Sequence, residues 1–195
     1  MSGKTFLYYG TMNSGKSASL LMNVYNLMEK GYPTLILKPK TDTRDGNLVK
    51  SRALGTSYEA MLIDEDDASI NHVSSVIEKD RIRFLFIDEA QFIAPEAIEH
   101  LSMITYKYGL RTFFYGLKNS FNNELFEGSK KLIEVADSIR EMKSTCDHCG
   151  AKATTHLRKI DGEYVFDGDQ VLVGDTDIYE SVCMKCWFSA KNNVE

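Results

Sequence analysis

The sequence predicts an α/β fold, in which an open, mostly parallel β-sheet is flanked by helices and followed by a small C-terminal lobe. Short apolar runs alternate with segments whose apolar residues have helical spacing, which is typical of βαβ units. A glycine-rich stretch stands between the first apolar run and the first helical segment. Two C-x-x-C pairs follow the last apolar run and favour a separate metal-held lobe. We expect the α/β domain at residues 1–143 and the lobe at residues 144–195.

The glycine-rich stretch, G-T-M-N-S-G-K-S at residues 10–17, matches the P-loop pattern G-x-x-x-x-G-K-[ST]. A strand-like run at 6–9 precedes it and a helical pattern at 18–29 follows, which counts against a chance match in a surface turn. Such a turn directs backbone N–H groups and the positive helix end towards one point, which suits a phosphate. We expect Lys16 to reach the β- and γ-phosphates of a nucleotide and Ser17 to bind Mg²⁺, in a RecA-like P-loop sheet. The other residues expected to cradle the phosphates are Gly10, Thr11, Met12, Asn13, Ser14 and Gly15.

A second informative stretch ends in two carboxylates. Four apolar residues at 84–87 are followed by Asp88 and Glu89. Ligands of open α/β sheets bind at the carboxyl ends of the strands, where the P-loop also ends. We expect Asp88 to help hold Mg²⁺ and Glu89 to orient or deprotonate a nucleophile, because adjacent strand residues point in opposite directions. The alternative is a pair of acids that merely opens a loop.

The remaining pattern predicts the rest of the α/β domain. Residues 38–58 should form a long loop near the phosphates, with room for a hairpin, because they are polar and without a steady period. The loop at 116–128 carries aromatic residues that could enclose a flat ring, although simple loop packing is the alternative. Further strands are expected at 34–37, 60–63, 110–115 and 139–144, and helices at 64–79, 95–107 and 129–135.

The cysteines predict a structural zinc site. Four thiolates in two C-x-x-C pairs make a closed tetrahedral Zn²⁺ site, so the lobe should be zinc-ribbon-like, although the intervening residues 150–182 are longer than usual and must loop out. A redox pair is the alternative, but it needs only one C-x-x-C. Since four cysteines complete the site, we expect His148 and His156 to be bystanders. The expected ligands are Cys146, Cys149, Cys183 and Cys186.

Within the lobe, residues 154–159 and 163–166 should form a hairpin that turns at Asp161-Gly162. Residues 167–179, held at both ends by the metal-bound segments, are a candidate lid over a small polar ligand. We expect a short polar tail after Trp187.

The charge and composition of the chain count against several classes of protein. The net charge of −5 and pI of about 5.5 give no overall basic field for nucleic acid. The apolar runs are too short to span a bilayer, so we expect no membrane partner. The N-terminus leads directly into the first strand without room for a signal peptide, so we expect a cytoplasmic protein. In that compartment, cysteines favour metal binding or catalysis over disulfides.

The order and spacing of these motifs resemble the zinc-containing thymidine kinase family of bacteria and the vertebrate cytosol. The resemblance extends from about Lys4 to Trp187. Each motif alone is ambiguous, but the ordered set of motifs is specific. Besides the P-loop and the C-x-x-C pairs, it rests on D-T-R at 42–44, D-E-A-Q-F at 88–92, G-L-K-N-S-F at 116–121, L-F-E-G at 125–128 and I-Y-E-S-V-C at 178–183.

The resemblance implies transfer of the γ-phosphoryl group of ATP to the 5′-hydroxyl of thymidine, with Glu89 as general base. It also implies a homotetramer inhibited by dTTP. Two departures are Asp175, where the lid of the family often has Gly, and Ala90, where Gly or Cys is common. The residues implied on the nucleotide side, besides the P-loop, are Asp42, Arg44, Asp88, Glu89, Ala90 and Gln91. Those implied around the nucleoside are Phe92, Leu117, Phe121, Phe126, Val173, Gly174 and Tyr179.

Two alternatives remain at this point. A RecA- or helicase-type ATPase whose zinc lobe contacts nucleic acid would share the P-loop, the acidic strand end and the cysteines, but the acidic net charge and the lack of a second motor domain count against it. A nucleoside monophosphate kinase would need extra basic residues for the acceptor phosphate. No second basic cluster is evident beyond Arg44, Arg140 and Arg158.

Overall fold

The structure, a computed structural model, describes residues 2–64, 67–168 and 179–192. The helices are α1 Lys16–Met28, α2 Asp67–Lys79, α3 Pro95–Tyr108, α4 Glu127–Val135 and α5 Met184–Asn192, and a 3₁₀ turn spans Ala90–Phe92. The strands are β1 Lys4–Tyr9, β2 Thr34–Pro39, β3 Leu48–Ser51, β4 Thr56–Glu59, β5 Met61–Ile63, β6 Phe84–Ile87, β7 Arg111–Gly116, β8 Ser138–Glu141, β9 Thr155–Ile160, β10 Glu163–Val165 and β11 Tyr179–Val182.

The central sheet has six strands in the order β5-β2-β6-β7-β1-β8, and every neighbouring pair is parallel. The predicted fold class is therefore confirmed. Because parallel strands end at the same edge, the segments that follow β1, β6 and β7 leave the sheet side by side. These segments are the P-loop, the two carboxylates and the aromatic loop, so the topology brings together three stretches that are far apart in sequence.

Helices cover both faces of the sheet. On one face, Leu21 and Val24 of α1 pack with Phe86 and with Val49 of the β3–β4 hairpin. On the other face, α2, α3 and α4 share a larger core, in which Leu101 of α3 is fully buried. Burying such a side chain stabilises the fold by about 1.5–3 kcal/mol. Burial on both faces explains why the strands are apolar throughout rather than alternating.

Every predicted helix and strand of the central sheet is present, but most boundaries differ from the prediction by one to three residues. The last strand of the sheet ends at Glu141 rather than at residue 144, because its partner β1 ends at Tyr9, which is in register with Glu141. Helix α4 begins at Glu127, two residues before the predicted start, with Phe126 in extended backbone conformation as its N-cap. The region predicted as a long loop at residues 38–58 contains a hairpin, as the prediction allowed. Its strands are β3 and β4, which pair antiparallel.

The C-terminal lobe contains a three-stranded antiparallel sheet in the order β10-β9-β11 and the helix α5. Its β9–β10 pair is the predicted hairpin. The prediction of a polar tail after Trp187 is wrong as far as Asn192, because Trp187 and Ala190 pack against Leu157 and Val182 in the core of the lobe. Among the described residues, no helix is long and apolar enough to cross a membrane.

Candidate active site

The P-loop connects β1 to α1 through a backbone that needs glycine at two points. Gly15, directly before α1, has φ +79°, in the left-handed region that glycine adopts at no steric cost. At Gly10 a Cβ atom would lie 2.4 Å from Ser14 Oγ and 2.5 Å from the Met142 carbonyl oxygen, so no larger residue fits. The loop therefore closes tightly and presents the N-terminus of a helix of 13 residues, which favours an anion.

Lys16 lies beneath this loop. Its buried Nζ donates to the carbonyl oxygen of Thr11 at 2.7 Å. Burial lowers the pKa of Lys16, whereas the charges of Glu89 and Asp88 act in the opposite direction. An ammonium group with one protein acceptor and two nearby carboxylates is placed to exchange the carbonyl for a phosphate oxygen.

Asp88 and Ser17 form an oxygen pair at the end of β6. The Ser17 hydroxyl donates to Asp88 Oδ2 at 3.0 Å, and the Asp88 carboxyl is buried. Burial, reinforced by the neighbouring charge of Glu89, raises the pKa of Asp88 to about 7. Carboxylate and hydroxyl oxygens are ligands that Mg²⁺ accepts, and a cation would favour the ionised carboxyl. The residues predicted to hold Mg²⁺ are thus adjacent and chemically suited to it.

Glu89 leaves the strand in an unusual conformation. Its φ of 50° and ψ of 40° lie in the left-handed region, which costs a non-glycine residue about 1–3 kcal/mol. Arg44 Nη2 donates to one carboxylate oxygen at 2.6 Å and Gln91 Nε2 donates to the other, also at 2.6 Å. The carboxylate is therefore fixed in direction by a donor on each oxygen, beside the buried Asp88.

Asp42 holds Arg44 in place. Arg44 Nε donates to Asp42 Oδ1 at 2.7 Å and Nη2 reaches Oδ2 at 3.2 Å, which is a bidentate pairing. Lys38 Nζ, itself buried, lies 3.2 Å from the same Oδ2. Burial raises the pKa of Asp42, but the hydrogen bonds and charges of Arg44 and Lys38 outweigh it and lower the pKa. A chain of charges thus runs from Lys38 through Asp42 and Arg44 to Glu89.

Gln91 joins Glu89 to the aromatic loop. It is buried, and its side-chain oxygen accepts a hydrogen bond from the backbone N–H of Leu117 at 3.0 Å. Ala90, fully buried, lies in the same 3₁₀ turn. These hydrogen bonds join Gln91 to Glu89 and Leu117, and its predicted place on the nucleotide side rests on the resemblance alone.

The aromatic residues divide between two positions. The rings of Phe92 and Phe126 meet edge to face, with centroids 5.8 Å apart, and Leu117 is buried. Phe121 is also buried, but it faces the lobe. Its ring lies 4.8 Å from the Arg158 guanidinium and its carbonyl accepts from Trp187 Nε1 at 2.8 Å. Phe92 and Phe126 directly flank the Glu89 turn, whereas Phe121 fastens the loop to the lobe.

The predicted lid lies largely outside the described residues, Val173 and Gly174 included. Its far end is described, since Tyr179 begins β11 and pairs with Arg158 on β9. The next residue, Glu180, accepts hydrogen bonds from Lys159 at 2.5 Å and Tyr164 at 3.0 Å. The chain that returns from the lid is therefore anchored to the predicted hairpin.

The four cysteines form one cluster, with all Sγ atoms within 4.8 Å of one another and Cys149 and Cys183 Sγ 3.6 Å apart. Tetrahedral Zn²⁺ with Zn–S bonds of about 2.3 Å separates its sulfurs by about 3.8 Å, so the cluster fits this ion. Burial raises the pKa of Cys146, but hydrogen bonds from the backbone outweigh it and lower the pKa to about 6, which favours a thiolate ligand. Neither His148 nor His156 belongs to the cluster.

Sequence reasoning missed a contact between the lobe and the P-loop. Met12 N–H donates to His156 Nε2 at 2.8 Å, and Ser181 Oγ donates to the Met12 carbonyl oxygen at 3.0 Å. The Thr11 hydroxyl also bonds that of Ser144. No sequence signal identifies these pairs, because the partners are 144 and 169 residues away from Met12. His156 is therefore a bystander to the metal cluster but not to the site.

The parallel sheet, the P-loop and the acidic end of β6 define a P-loop nucleotide-binding protein with a C-terminal four-cysteine lobe. The family model described as thymidine kinase matches residues 3–187. This chain belongs to the thymidine kinase family, whose members are phosphotransferases.

Curated relatives are similar over nearly the whole chain. A thymidine kinase from Lactococcus lactis is 39% identical over 183 residues, which cover 94% of this chain and 96% of the relative. One from Streptococcus gordonii is 38% identical over 185 residues, with 95% and 96% covered. The thymidine kinase of Enterobacteria phage T4 is 41% identical over 180 residues, with 92% of each chain covered.

Proposed function

We propose that this chain transfers the γ-phosphoryl group of ATP to the 5′-hydroxyl of thymidine and releases dTMP and ADP. The observation that carries the proposal is the meeting of Glu89 and Asp88 with Ser17 at one edge of the sheet, in a chain of the thymidine kinase family. Phosphoryl transfer depends mainly on positioning and charge stabilisation, which such an edge supplies.

On the donor side, the backbone N–H groups of residues 13–17 and the Lys16 ammonium would bind the triphosphate. Lys16 would leave the Thr11 carbonyl for a phosphate oxygen, a small change because Nζ already lies under the loop. Ser17 and Asp88 would hold Mg²⁺, which neutralises charge on the phosphate oxygens when it is bound. The positive helix end and Lys16 stabilise the charge that develops on the transferred group.

On the acceptor side, Glu89 would take the proton of the 5′-hydroxyl. Each carboxylate oxygen has more than one acceptor direction, so the hydroxyl can bind while Arg44 and Gln91 stay in place. These two donors keep the carboxylate from rotating away from the acceptor. A base so oriented contributes about 10²–10⁴-fold to the rate.

The nucleoside would lie between the Glu89 turn and the lobe. Phe92, Phe126 and Leu117 offer apolar surface next to the proposed base. Phe121 would shape the far side of this loop through its contacts with the lobe. Tyr179, with Val173 and Gly174, would close over the thymine and keep water from competing for the phosphoryl group.

The assembly and regulation of this enzyme are further parts of the proposal, supported by the family resemblance. We infer a cytoplasmic homotetramer inhibited by dTTP. Light scattering after gel filtration measures the subunit number, and inhibition of turnover by dTTP measures the feedback.

Turnover of ATP with different acceptors tests the proposed function. We expect ADP release and dTMP formation with thymidine, and neither with the same reaction lacking a nucleoside. Single-stranded DNA is tested in place of thymidine, since it would stimulate ATP hydrolysis by a RecA- or helicase-type ATPase. Lys16→Ala should abolish the turnover. Stimulation by DNA but not by thymidine would contradict the proposal.

A further inference from the structure

The peptide groups of Met12 in the P-loop are held by two side chains of the C-terminal lobe. His156 Nε2 accepts from the Met12 N–H at 2.8 Å, and the Ser181 hydroxyl donates to the Met12 carbonyl oxygen at 3.0 Å. Both side chains are buried, with 3% and 6% exposure. Met12 is thereby fixed through both of its backbone polar groups, directly before the residues that face the phosphate site.

These two side chains lie opposite each other on neighbouring strands of the lobe. Ser181 on β11 is the register partner of His156 on the adjacent antiparallel strand β9. Side chains of directly opposed residues stand about 5 Å apart on the same face of a sheet, so their spacing matches a single residue of backbone. A shift of either strand would break one contact or both.

The His156 ring is suited to an acceptor role. Burial, followed by the charge of Lys16, lowers the pKa of His156 to about 3, so the ring is neutral at pH 7. The ring also hydrogen-bonds the backbone of Asn119 in the aromatic loop. A neutral imidazole has one donor and one acceptor nitrogen, and a donor nitrogen directed at Asn119 leaves Nε2 free to accept from Met12.

Ser181 is in turn tied to the cysteine cluster. Its backbone N–H donates to Asp147 Oδ2 at 2.7 Å, and the Asp147 N–H donates to the Ser181 carbonyl oxygen at 2.9 Å. Asp147 stands between Cys146 and Cys149. The Met12 contact is therefore connected, through one residue, to the segment that would bind the metal.

We propose that His156 and Ser181 are positioning residues that clamp Met12 and set the shape of the P-loop for the triphosphate of ATP. This inference rests on the proposed phosphate-binding role of the P-loop and extends it, because it makes the lobe a determinant of nucleotide affinity as well as of nucleoside enclosure. Neither residue contacts the reacting atoms. The clamp lowers the number of conformations that the loop must lose when the phosphates bind.

Binding of Mg·ADP, measured by calorimetry on the full chain, tests the clamp without any turnover. His156→Phe keeps an aromatic ring but leaves the Met12 N–H unpaired, so we expect the Kd for ADP to rise about tenfold. His156→Gln restores an acceptor and should bring the Kd to within about threefold of the wild type. Ser181→Ala, which removes only a hydroxyl, should raise the Kd about fivefold and leave the Kd for thymidine unchanged.

Tyr164→Phe is the matched control, because it removes a hydroxyl that bonds Glu180 inside the lobe and does not contact the P-loop. It should bind ADP as the wild type does. Unchanged ADP binding by His156→Phe and Ser181→Ala would overturn the clamp, as would a Gln variant as weak as the Phe variant. If His156→Phe does not fold, the Kd of Ser181→Ala for ADP is sufficient to test the clamp. Wild-type protein that binds no ADP would instead contradict the proposed function.

Discussion

Asp88 and Glu89 are neighbours in the chain, yet they have separate surroundings. Asp88 is buried against Ser17, whereas Glu89 turns into the left-handed region and meets Arg44 and Gln91. Two adjacent carboxylates would repel each other if both faced one cavity. This divergence is consistent with the proposed roles, in which Asp88 would hold the metal and Glu89 would take the proton of the acceptor hydroxyl.

Replacing Glu89 by Gln tests its role as the base. The amide cannot accept the proton, so we expect kcat to fall by more than about 10² while the Kd for ADP stays within a few-fold. Steady-state kinetics and ADP calorimetry measure the two effects. Glu96→Gln, at an exposed position in the first turn of α3, is the control and should be fully active. Near-normal kcat in Glu89→Gln would remove the general-base role.

The buried His156 makes the stability of the fold depend on pH. Its pKa of about 3 lies below the ordinary value of 6.5, so its contribution is complete above pH 6.5 and is lost as the pH falls towards 3. Between pH 7.5 and 5, the wild type should lose about 2 kcal/mol more unfolding free energy than His156→Gln. Urea unfolding at both pH values measures this difference. Equal losses in the two proteins would show that the pKa of His156 is not lowered in the folded protein.

At the scale of elements, the segment between β2 and β3 is organised around one buried cation. Lys38 on β2 donates to the carbonyl oxygens of Gly46 and Leu48 and pairs with Asp42. It therefore fixes both ends of the turn that carries Arg44 towards Glu89. The sequence indicates only a polar loop here, because nothing in the local pattern shows that a strand lysine points inwards.

Lys38→Met removes these contacts and leaves the buried Asp42 carboxylate paired with Arg44. Removing one member of a buried pair is strongly destabilising, so we expect a loss of about 3 kcal/mol and a lower kcat. Lys40→Met, directly after the same strand, breaks the exposed pair of Lys40 with Asp64 and should cost less than about 1 kcal/mol. Urea unfolding of both variants gives the comparison. Similar losses would contradict the anchoring role.

The sequence predicts elements well where local physics determines them. The P-loop could be placed because its glycines are required by backbone geometry, and α3 because Pro95 begins it and Gly109 ends it in the left-handed conformation. The end of β8 could not be placed, since it depends on where β1 ends. Helix α5 was missed because its apolar face is short and is completed only by the core of the lobe.

At the scale of the whole molecule, the lobe contacts two loops of the α/β domain, the aromatic loop and the P-loop. Trp187 bonds the backbone of Phe121, Asn119 bonds Thr155 at 2.8 Å, and His156 and Ser181 hold Met12. Every one of these contacts joins segments distant in sequence. Residues that belong to a recognisable motif could therefore be named from the sequence. The residues that join the lobe to the α/β domain could not.

The proposed clamp would make the cysteine cluster a determinant of nucleotide binding. Removal of zinc, by Cys146→Ser or by a strong chelator, should release the first C-x-x-C segment, which contains Asp147. Because Asp147 bonds Ser181 and Ser181 bonds Met12, the Met12 peptide should be released as well. We expect the melting temperature to fall by roughly 10 °C and the Kd for ADP to rise by at least the factor seen for Ser181→Ala.

Zinc content by mass spectrometry, differential scanning calorimetry and ADP calorimetry give the three readouts for this prediction. A non-chelating isomer of the chelator is the control, and added Zn²⁺ should restore the chelated protein but not Cys146→Ser. The chelator must be tested with Mg²⁺ in excess, so that a loss of ADP affinity reflects the lobe rather than the Ser17–Asp88 pair. A lower melting temperature with unchanged ADP affinity would show that the cysteines stabilise the lobe without shaping the P-loop, because the Asp147–Ser181 connection would then carry no coupling to Met12.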